Sequence, residues 1–154
     1  MIPFIDVEVT TSPLDLTRLH DRLQEDDASS GAISSFVGRV RGGEGLTALE
    51  LEAYEPVTRL SLEQIARTAQ ERWPLELAMI HHRSGLMPLG EPIVFVGARS
   101  AHRVAVLESV AYMIDVLKTE APFWKREHFD NTTRWVEART SDENRARHWQ
   151  ETIE

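Results

Sequence analysis

The segment Leu117-Lys118-Thr119-Glu120-Ala121-Pro122-Phe123-Trp124-Lys125-Arg126-Glu127 marks a change from helix to extended chain. A helix with Ser100 as its N-cap is predicted to run to about Lys118, and Pro122 forbids its extension because proline lacks a backbone N–H. The following stretch, Phe123 to Arg139, is predicted to be irregular or extended. The segment therefore places one lysine on each side of the end of a long helix.

Upstream of this junction, hydrophobic residues recur with the period of a strand in some stretches and of a helix in others. The predicted strands are Ile5–Val9, Ala32–Val40, Leu46–Tyr54, Leu77–His82 and Ile93–Arg99, and the other predicted helices are Pro13–Glu25, Pro56–Trp73 and Ser141–Trp149. The second and third strands are predicted to pair as a hairpin around Arg41–Gly45, with loops at Asp26–Gly31 and Ser84–Pro92. This order indicates one α+β domain over residues 1–154, with a mainly antiparallel sheet packed on helices and a helical or irregular tail from about residue 140.

The composition excludes several classes of function. The 154 residues include no cysteine, so the chain cannot form disulfides, bind metal through thiolates or supply a thiol nucleophile. The net charge of -8 argues against general affinity for nucleic acid. No apolar stretch approaches the roughly 20 residues needed to cross a bilayer, and the start, Met1 to Asp6, has no basic signal region. We therefore expect a cytoplasmic protein without a membrane segment.

The histidines do not suggest a metal site. His81 and His82 are adjacent in a predicted strand, so their side chains point to opposite faces and are wrongly placed to bind one metal ion. Both are interpreted as structural. No other spacing of His, Asp and Glu resembles a metal site, and the serines show no nucleophile elbow.

Two short basic groups could hold an anion. Behind Ser100, the free N–H groups of a helix N-terminus would lie beside His102 and Arg103. Arg39 and Arg41 are two residues apart at the end of a strand, so their side chains leave the same face and could clasp a phosphate or carboxylate. The alternative for both groups is that the side chains are simply solvated.

The lysines of the opening segment could carry chemistry. Lys118 continues the apolar stripe of Leu107, Ala111 and Ile114, where burial would favour a neutral amine that acts as a base or nucleophile. Alternatively, its ammonium group reaches water at the last helical turn. Lys125 lies among aromatic neighbours that could wall a pocket or anchor a loop. If the two lysines were close, each would lower the pKa of the other, which suits one acid and one base.

Together these stretches resemble the catalytic (large) subunit of molybdopterin synthase. The matching segments are Phe36–Arg41, Leu51–Tyr54, His82–Gly85, Ser100–Arg103, Leu117–Glu127 and Arg134–Arg139. They cover nearly the whole chain in order, and the segment between the two lysines is the most specific. Two departures are Asn131-Thr132-Thr133, where the family commonly has a glycine-containing turn, and Val57, where a methionine is frequent.

The resemblance implies a two-layer α/β-hammerhead fold, a homodimer within a heterotetramer, and no cofactor or metal. Its partner would be a small ubiquitin-like carrier whose C-terminal Gly-Gly thiocarboxylate gives sulfur to cyclic pyranopterin monophosphate, forming the molybdopterin dithiolene of molybdenum cofactor biosynthesis. Lys118 and Lys125 would be the catalytic lysines. The residues implied to bind substrate are Arg39, Val40, Arg41, His102, Arg103, Lys118, Lys125, Arg126, Glu127 and Arg139.

The predicted helix sets a limit on this site. Arg103 and Lys118 are 118 - 103 = 15 residues apart, or about 22 Å along one helix, which a small pterin cannot span. If both residues serve one site, His102 and Arg103 must come from the neighbouring subunit. Two alternatives of other classes are a non-catalytic scaffold of the same fold that binds a phosphorylated ligand or carrier, and a lyase that uses a lysine Schiff base.

Overall fold

The computed structural model describes residues 2–25, 29–136 and 140–151. Within these ranges the chain forms eight strands and four helices. In chain order they are β1 (Phe4–Thr10), α1 (Leu16–Gln24), β2 (Ala32–Arg39), β3 (Leu46–Ala53), α2 (Glu55–Arg72), β4 (Leu77–Arg83), β5 (Gly85–Pro88), β6 (Pro92–Ser100), α3 (Arg103–Glu120), β7 (Phe123–Phe129), β8 (Thr133–Val136) and α4 (Thr140–Glu151).

The described strands form two four-stranded sheets. The first has the order β1-β4-β6-β2 and the second the order β5-β3-β7-β8. Only the pair of β1 and β4 is parallel among the described strands. The α+β class with mainly antiparallel pairing is therefore confirmed, with the strands divided between two sheets.

Three apolar clusters form the core between the helices and the two sheets. Helices α2 and α3 pack on one face of the first sheet and form the largest cluster, which includes Leu62, Ile80 and Met113. Helix α1 covers part of the opposite face through a smaller cluster around Leu23 and Phe95. The third cluster lies on the second sheet and consists of Val40, Leu49, Leu51 and Met87. No helix in the described part of the chain is long and apolar enough to cross a membrane.

The predicted hairpin of the second and third strands is wrong. Strand β2 pairs with β6 in the first sheet, whereas β3 pairs with β5 and β7 in the second. The alternation of β3 explains this placement, because Leu49 and Leu51 are buried in the separate cluster on the second sheet. Hydrophobic alternation shows which face of a strand is buried, and several partners can satisfy it.

Strands form both in one predicted loop and in the stretch that was predicted to be irregular or extended. The predicted loop Ser84–Pro92 includes β5, which begins at Gly85, where a positive φ of 90° turns the chain just after β4. The stretch that begins at Phe123 forms β7 and β8. Residues 26–28 of the predicted loop Asp26–Gly31, and residues 137–139, lie outside the described residues.

Two helix starts also differ from the prediction. Helix α1 begins at Leu16, and the carboxylate of Asp15 accepts a hydrogen bond from the Arg18 N–H at 3.1 Å. Ser100 is the last residue of β6 instead of the N-cap of α3, a position that His102 occupies. The Ser100 hydroxyl nevertheless accepts the His102 N–H at 3.2 Å, so it does stabilise this turn.

Candidate active site

A cavity of about 230 Å³ opens where the two sheets meet the end of α3. Strands of both sheets, together with the turn after α3, contribute its walls. The lining residues are Gly38, Arg39, Leu49, Leu51, His82, Ile93, Val94, Leu117, Lys118, Ala121, Phe123, Lys125 and Val136. Both predicted catalytic lysines are thus brought to one cavity, with apolar walls around them.

Lys118 reaches the cavity from the last turn of α3, and its side chain is exposed. The interpretation that it stands on a buried stripe of the helix is wrong, and the alternative, that its ammonium group reaches water at the last helical turn, is confirmed. The buried residues of α3 belong to a neighbouring stripe that includes Val106, Met113 and Leu117, while Leu107 is 61% exposed. The ammonium group is therefore in contact with water and with whatever enters the cavity.

Lys125 is positioned by the second sheet. It lies opposite Leu51 of β3 and Val136 of β8, both of which also line the cavity. Its side chain is partly buried and forms interactions within the chain. The sheet register therefore fixes the direction from which this lysine enters the cavity.

The neighbours of Lys125 have other partners. Arg126 points to the opposite face of the sheet, where its guanidinium lies 4.1 Å from the Trp135 ring centroid and within 3.7 Å of Glu50. The Glu127 carboxylate accepts a hydrogen bond from Arg134 at 2.7 Å. Neither Arg126 nor Glu127 lines the cavity within this chain.

The three residues predicted to bind substrate near the end of β2 lie in different surroundings. Arg39 lines the cavity, and its Nε donates to the Gly90 carbonyl at 3.0 Å. Val40 is 3% exposed, and its backbone N–H and carbonyl bond to Glu91 and Gly90. Arg41 is exposed beyond the end of the strand and does not line the cavity.

The remaining predicted anion-binding residues lie elsewhere. His102 and Arg103 are exposed at the beginning of α3, at the opposite end of the helix from Lys118. The structure does not bring them to the cavity of the same chain. Arg139 lies outside the described residues.

His82 and Phe123 are cavity residues that the predicted site omitted. The His82 ring is 4% exposed and stacks on Phe123, with ring centroids 4.0 Å apart and planes inclined by 22°. The pKa of His82 is lowered from 6.5 to about 4, chiefly by burial and to a smaller extent by the positive charge of Lys118, against a backbone hydrogen bond to Arg83 that raises it. Strand alternation separated His82 from His81 correctly, but gave no sign that the inner face of this strand borders a cavity.

The charge of the cavity is opposite to that of the protein. Arg39, Lys118 and Lys125 line it without any acidic residue among the lining residues, although the net charge of the chain is -8. Lys118 and Lys125 are also the only two lysines in the sequence, and every other basic residue apart from histidine is an arginine. Among the described residues, no group of three or more His, Cys, Asp or Glu could hold a metal ion. Such a cavity attracts an anionic ligand and offers it two primary amines.

The fold and this cavity define an α+β protein with a cation-lined pocket for a small anionic ligand. Comparison with known families narrows the class. The MoaE protein family matches residues 9–120, and the chain belongs to that family. The predicted family is therefore confirmed.

Similar proteins support this assignment over most of the chain. The molybdopterin synthase catalytic subunit of Escherichia coli is 41% identical over 146 residues, which cover 93% of this chain and 97% of that protein. The solved structure of the molybdopterin biosynthesis MoaE protein from Burkholderia ambifaria has a TM-score of 0.82 and 36% identity, covering 96% of this chain and 99% of that one. A complex of subunits 1 and 2 of the molybdopterin-converting factor from Helicobacter pylori has a TM-score of 0.73 and 23% identity, covering 88% of this chain and 91% of that one, and shows the shared fold.

Proposed function

We propose that this chain is the catalytic subunit of a molybdopterin synthase. It would transfer sulfur from the C-terminal thiocarboxylate of a small ubiquitin-like carrier to cyclic pyranopterin monophosphate, forming the dithiolene of molybdopterin. The observation that carries the proposal is that both lysines of a MoaE-family chain line one cavity together with Arg39. The Escherichia coli relative has this name and is similar over nearly its whole length.

The cavity suits the charges of the reactants. The phosphate of the precursor and the thiocarboxylate of the carrier are both anions, and bringing them together costs Coulomb energy that nearby cations offset. Arg39 is a permanent cation, whereas an ammonium group can also give up a proton. Two lysines and one arginine can therefore bind the anions and transfer protons without a metal ion.

The sulfur has to arrive on another protein, because this chain contains no cysteine. In each transfer, a C–S bond forms to the pterin precursor and the C–S bond of the thiocarboxylate breaks. The acyl carbon of the carrier receives an oxygen atom from the substrate or water and becomes a carboxylate. Two such transfers supply both dithiolene sulfurs. The Helicobacter pylori complex of two converting-factor subunits, with the same fold, supports a stable partner of this kind.

The two lysines differ in setting, which suggests different roles. Lys118 is exposed at the end of α3, so its amine can approach the reacting atoms and transfer protons or form a covalent bond. Lys125 is partly buried on β7 and held by the register of the sheet, which suits holding an anionic intermediate. Lys118 is the primary catalytic group in this proposal.

The test is to mix the protein with thiocarboxylated carrier and cyclic pyranopterin monophosphate and to measure molybdopterin. Wild type should form product, Lys118→Ala should lose most activity, and Lys118→Arg should stay impaired, because arginine keeps the charge without a transferable proton. Arg67→Ala, on α2 away from the cavity, is the matched control. A wild-type protein that binds both reactants without product formation would favour the scaffold alternative, and a borohydride-trapped adduct with a carbonyl substrate would favour the lyase.

We further propose that the active site is composite and forms between two copies of this chain. Helix α3 runs from Arg103 to Glu120, so Arg103 and Lys118 lie about 22 Å apart on it. Val104 and Leu107 beside Arg103 are 56% and 61% exposed, which fits a surface that a second copy covers. Within a heterotetramer, His102 and Arg103 would then reach the cavity of the neighbouring subunit.

Subunit mixing tests the composite site. A heterodimer of one Arg103→Ala chain and one Lys118→Ala chain contains one intact site if the residues come from different subunits. It should recover up to half of the wild-type activity, whereas each homodimeric variant stays inactive. Confirmed heterodimers that are as inactive as the two homodimers would contradict the composite site while leaving the proposed reaction intact.

A further inference from the structure

His82 is held rigidly on the cavity side of β4. Its neighbour His81 faces the other side of the sheet, where its Nε2 lies 3.0 Å from a carboxylate oxygen of Asp6. The His82 ring is fixed instead by its stacking on Phe123, the residue that follows Pro122 between the two lysines. Both the histidine and Lys118 line the cavity.

The hydrogen bonding of the ring determines which nitrogen faces the cavity as an acceptor. Nδ1 of His82 lies 2.8 Å from the carbonyl oxygen of Arg83. A carbonyl oxygen can only accept, so Nδ1 carries the hydrogen, and in the neutral ring Nε2 then has a free lone pair. No described residue forms a hydrogen bond with Nε2. A ring with a pKa of about 4 stays neutral at pH 7, so this lone pair is present under ordinary conditions.

The surroundings of the ring indicate its partner. The charged residues that line the cavity are Arg39 from β2, Lys118 from α3 and Lys125 from β7. Of these three, Lys118 is the one whose positive charge contributes to the lowered pKa of His82. Nε2 is not among the fully buried atoms left without a partner, and because His82 lines the cavity, its lone pair is available to an ammonium group that shares the cavity.

We propose that His82 is a positioning residue whose Nε2 lone pair accepts a hydrogen bond from the Lys118 ammonium group and holds that group in the cavity. The remaining two N–H donors of Lys118 are then directed at the anionic reactants. This inference rests on the proposed function only for its effect on turnover, since the hydrogen bond itself needs no substrate. It also explains why an exposed lysine at a helix end, with many rotamers, can act at one place.

The first experiment measures the pH dependence of Lys118 acetylation by trace acetic anhydride, with mass spectrometry of the two lysine peptides. Because a hydrogen bond to the charged form raises a pKa, His82→Phe should lower the midpoint for Lys118 by about half to one pH unit. Phenylalanine keeps the stacking partner of Phe123 but has no acceptor. His82→Gln keeps an acceptor and should restore the wild-type midpoint, and His81→Gln is the matched control on the opposite face. An unchanged midpoint in folded His82→Phe would overturn the proposal.

The second experiment uses wild-type protein, so it does not depend on a variant that folds. Long-range ¹H–¹⁵N spectra of the histidine rings at pH 7 should show His82 as the neutral Nδ1–H form. A protonated Nε2 in that spectrum would overturn the proposal, because no lone pair would remain for Lys118.

Turnover separates this inference from the proposed reaction. In the synthase assay, His82→Phe should lower kcat about tenfold with little change in KM, because Lys118 is less well positioned while substrate binding is kept, and His82→Gln should recover most of that loss. A shifted Lys118 midpoint in a wild-type protein that makes no molybdopterin would refute the proposed reaction and leave the His82 inference standing. Equal kcat for folded His82→Phe and wild type would overturn the positioning role.

Discussion

Replacing Thr58 by valine should loosen the segment that joins the two lysines. Thr58 lies in the first turns of α2, is 0% exposed, and donates its hydroxyl to the Pro122 carbonyl at 3.1 Å. Valine has nearly the same shape but no donor, so the carbonyl loses its partner in a partly buried place. That loss should lower the free energy of unfolding by about 1–3 kcal/mol. For a chain of this length, each 1 kcal/mol corresponds to a fall in Tm of about 2–4 °C.

The same substitution should reduce activity more than stability alone explains. Pro122 lies between Lys118 and Lys125, and misplacement of a catalytic group by about 1 Å can cost about 100-fold in rate. We therefore expect Thr58→Val to lower kcat at a temperature where the variant is fully folded. Thr58→Ser retains the hydroxyl and should retain most of kcat, although it loses a buried methyl group.

Ser109→Ala provides the control for removal of a buried hydroxyl elsewhere. Ser109 is also 0% exposed, but its 3.4 Å bond runs within α3 to Val106 and contacts neither lysine. Urea unfolding and single-turnover molybdopterin formation would be measured on all three variants. If Thr58→Val matches wild type in both unfolding free energy and kcat, the hydrogen bond to Pro122 neither stabilises the protein nor positions the segment between the lysines.

Two further predictions concern pH and stability. Burial alone would raise the pKa of Asp6, but the hydrogen bond and charge of His81 and the charge of Arg22 lower it overall from 3.8. The Asp6 carboxylate therefore contributes to the stability of the fold above that pH, and this contribution is lost as the pH falls below it. Asp6→Asn should flatten the acid limb of urea-unfolding free energy in that window and lower stability at neutral pH; an unchanged acid limb would contradict this. For His82, the unfolded chain binds a proton near pH 6.5 and the folded chain only near 4, so stability should fall by roughly 3 kcal/mol as pH drops across that interval. His82→Gln should remove this component, and an identical slope in wild type and variant would show that another group causes it.

The periodicity of the sequence predicted most elements but not their pairing. The strands predicted from Ile5, Ala32, Leu46, Leu77 and Ile93 all exist, with no end shifted by more than one residue. Their assignment to two sheets could not be predicted, because alternation records burial and not the identity of the neighbouring strand. The short strand β5 was hidden for a related reason, since four residues that include a glycine and a proline give almost no alternation to detect.

The candidate site was predictable in part. Residue patterns and the family resemblance together pointed to Lys118, Lys125 and Arg39, and the fold brings all three to one cavity. His82 was missed because the adjacent pair His81 and His82 was considered only as a possible metal site and rejected. The sheet structure is needed to show that one of the two rings faces a cavity. The guanidinium of Arg126 likewise turns away because strand alternation reverses its direction relative to Lys125.

The error over the burial of Lys118 arises from a helix that is apolar on two sides. One stripe of α3 includes Val106, Met113 and Leu117 and is buried in the core of this chain. A second runs through Val104 and Leu107, both more than half exposed, toward the partly buried Ala111 and Ile114 and ends at Lys118.

A helix with two apolar stripes has more hydrophobic surface than one core can use, which is typical of a surface that contacts another protein. If a twofold axis passes near Ala111, midway between Val104 and Lys118, two copies of α3 would run antiparallel. The Arg103 end of one helix would then lie beside the Lys118 end of the other. The stripe that misled the burial prediction therefore supports the composite site, because it offers a surface through which residues 15 positions apart could meet.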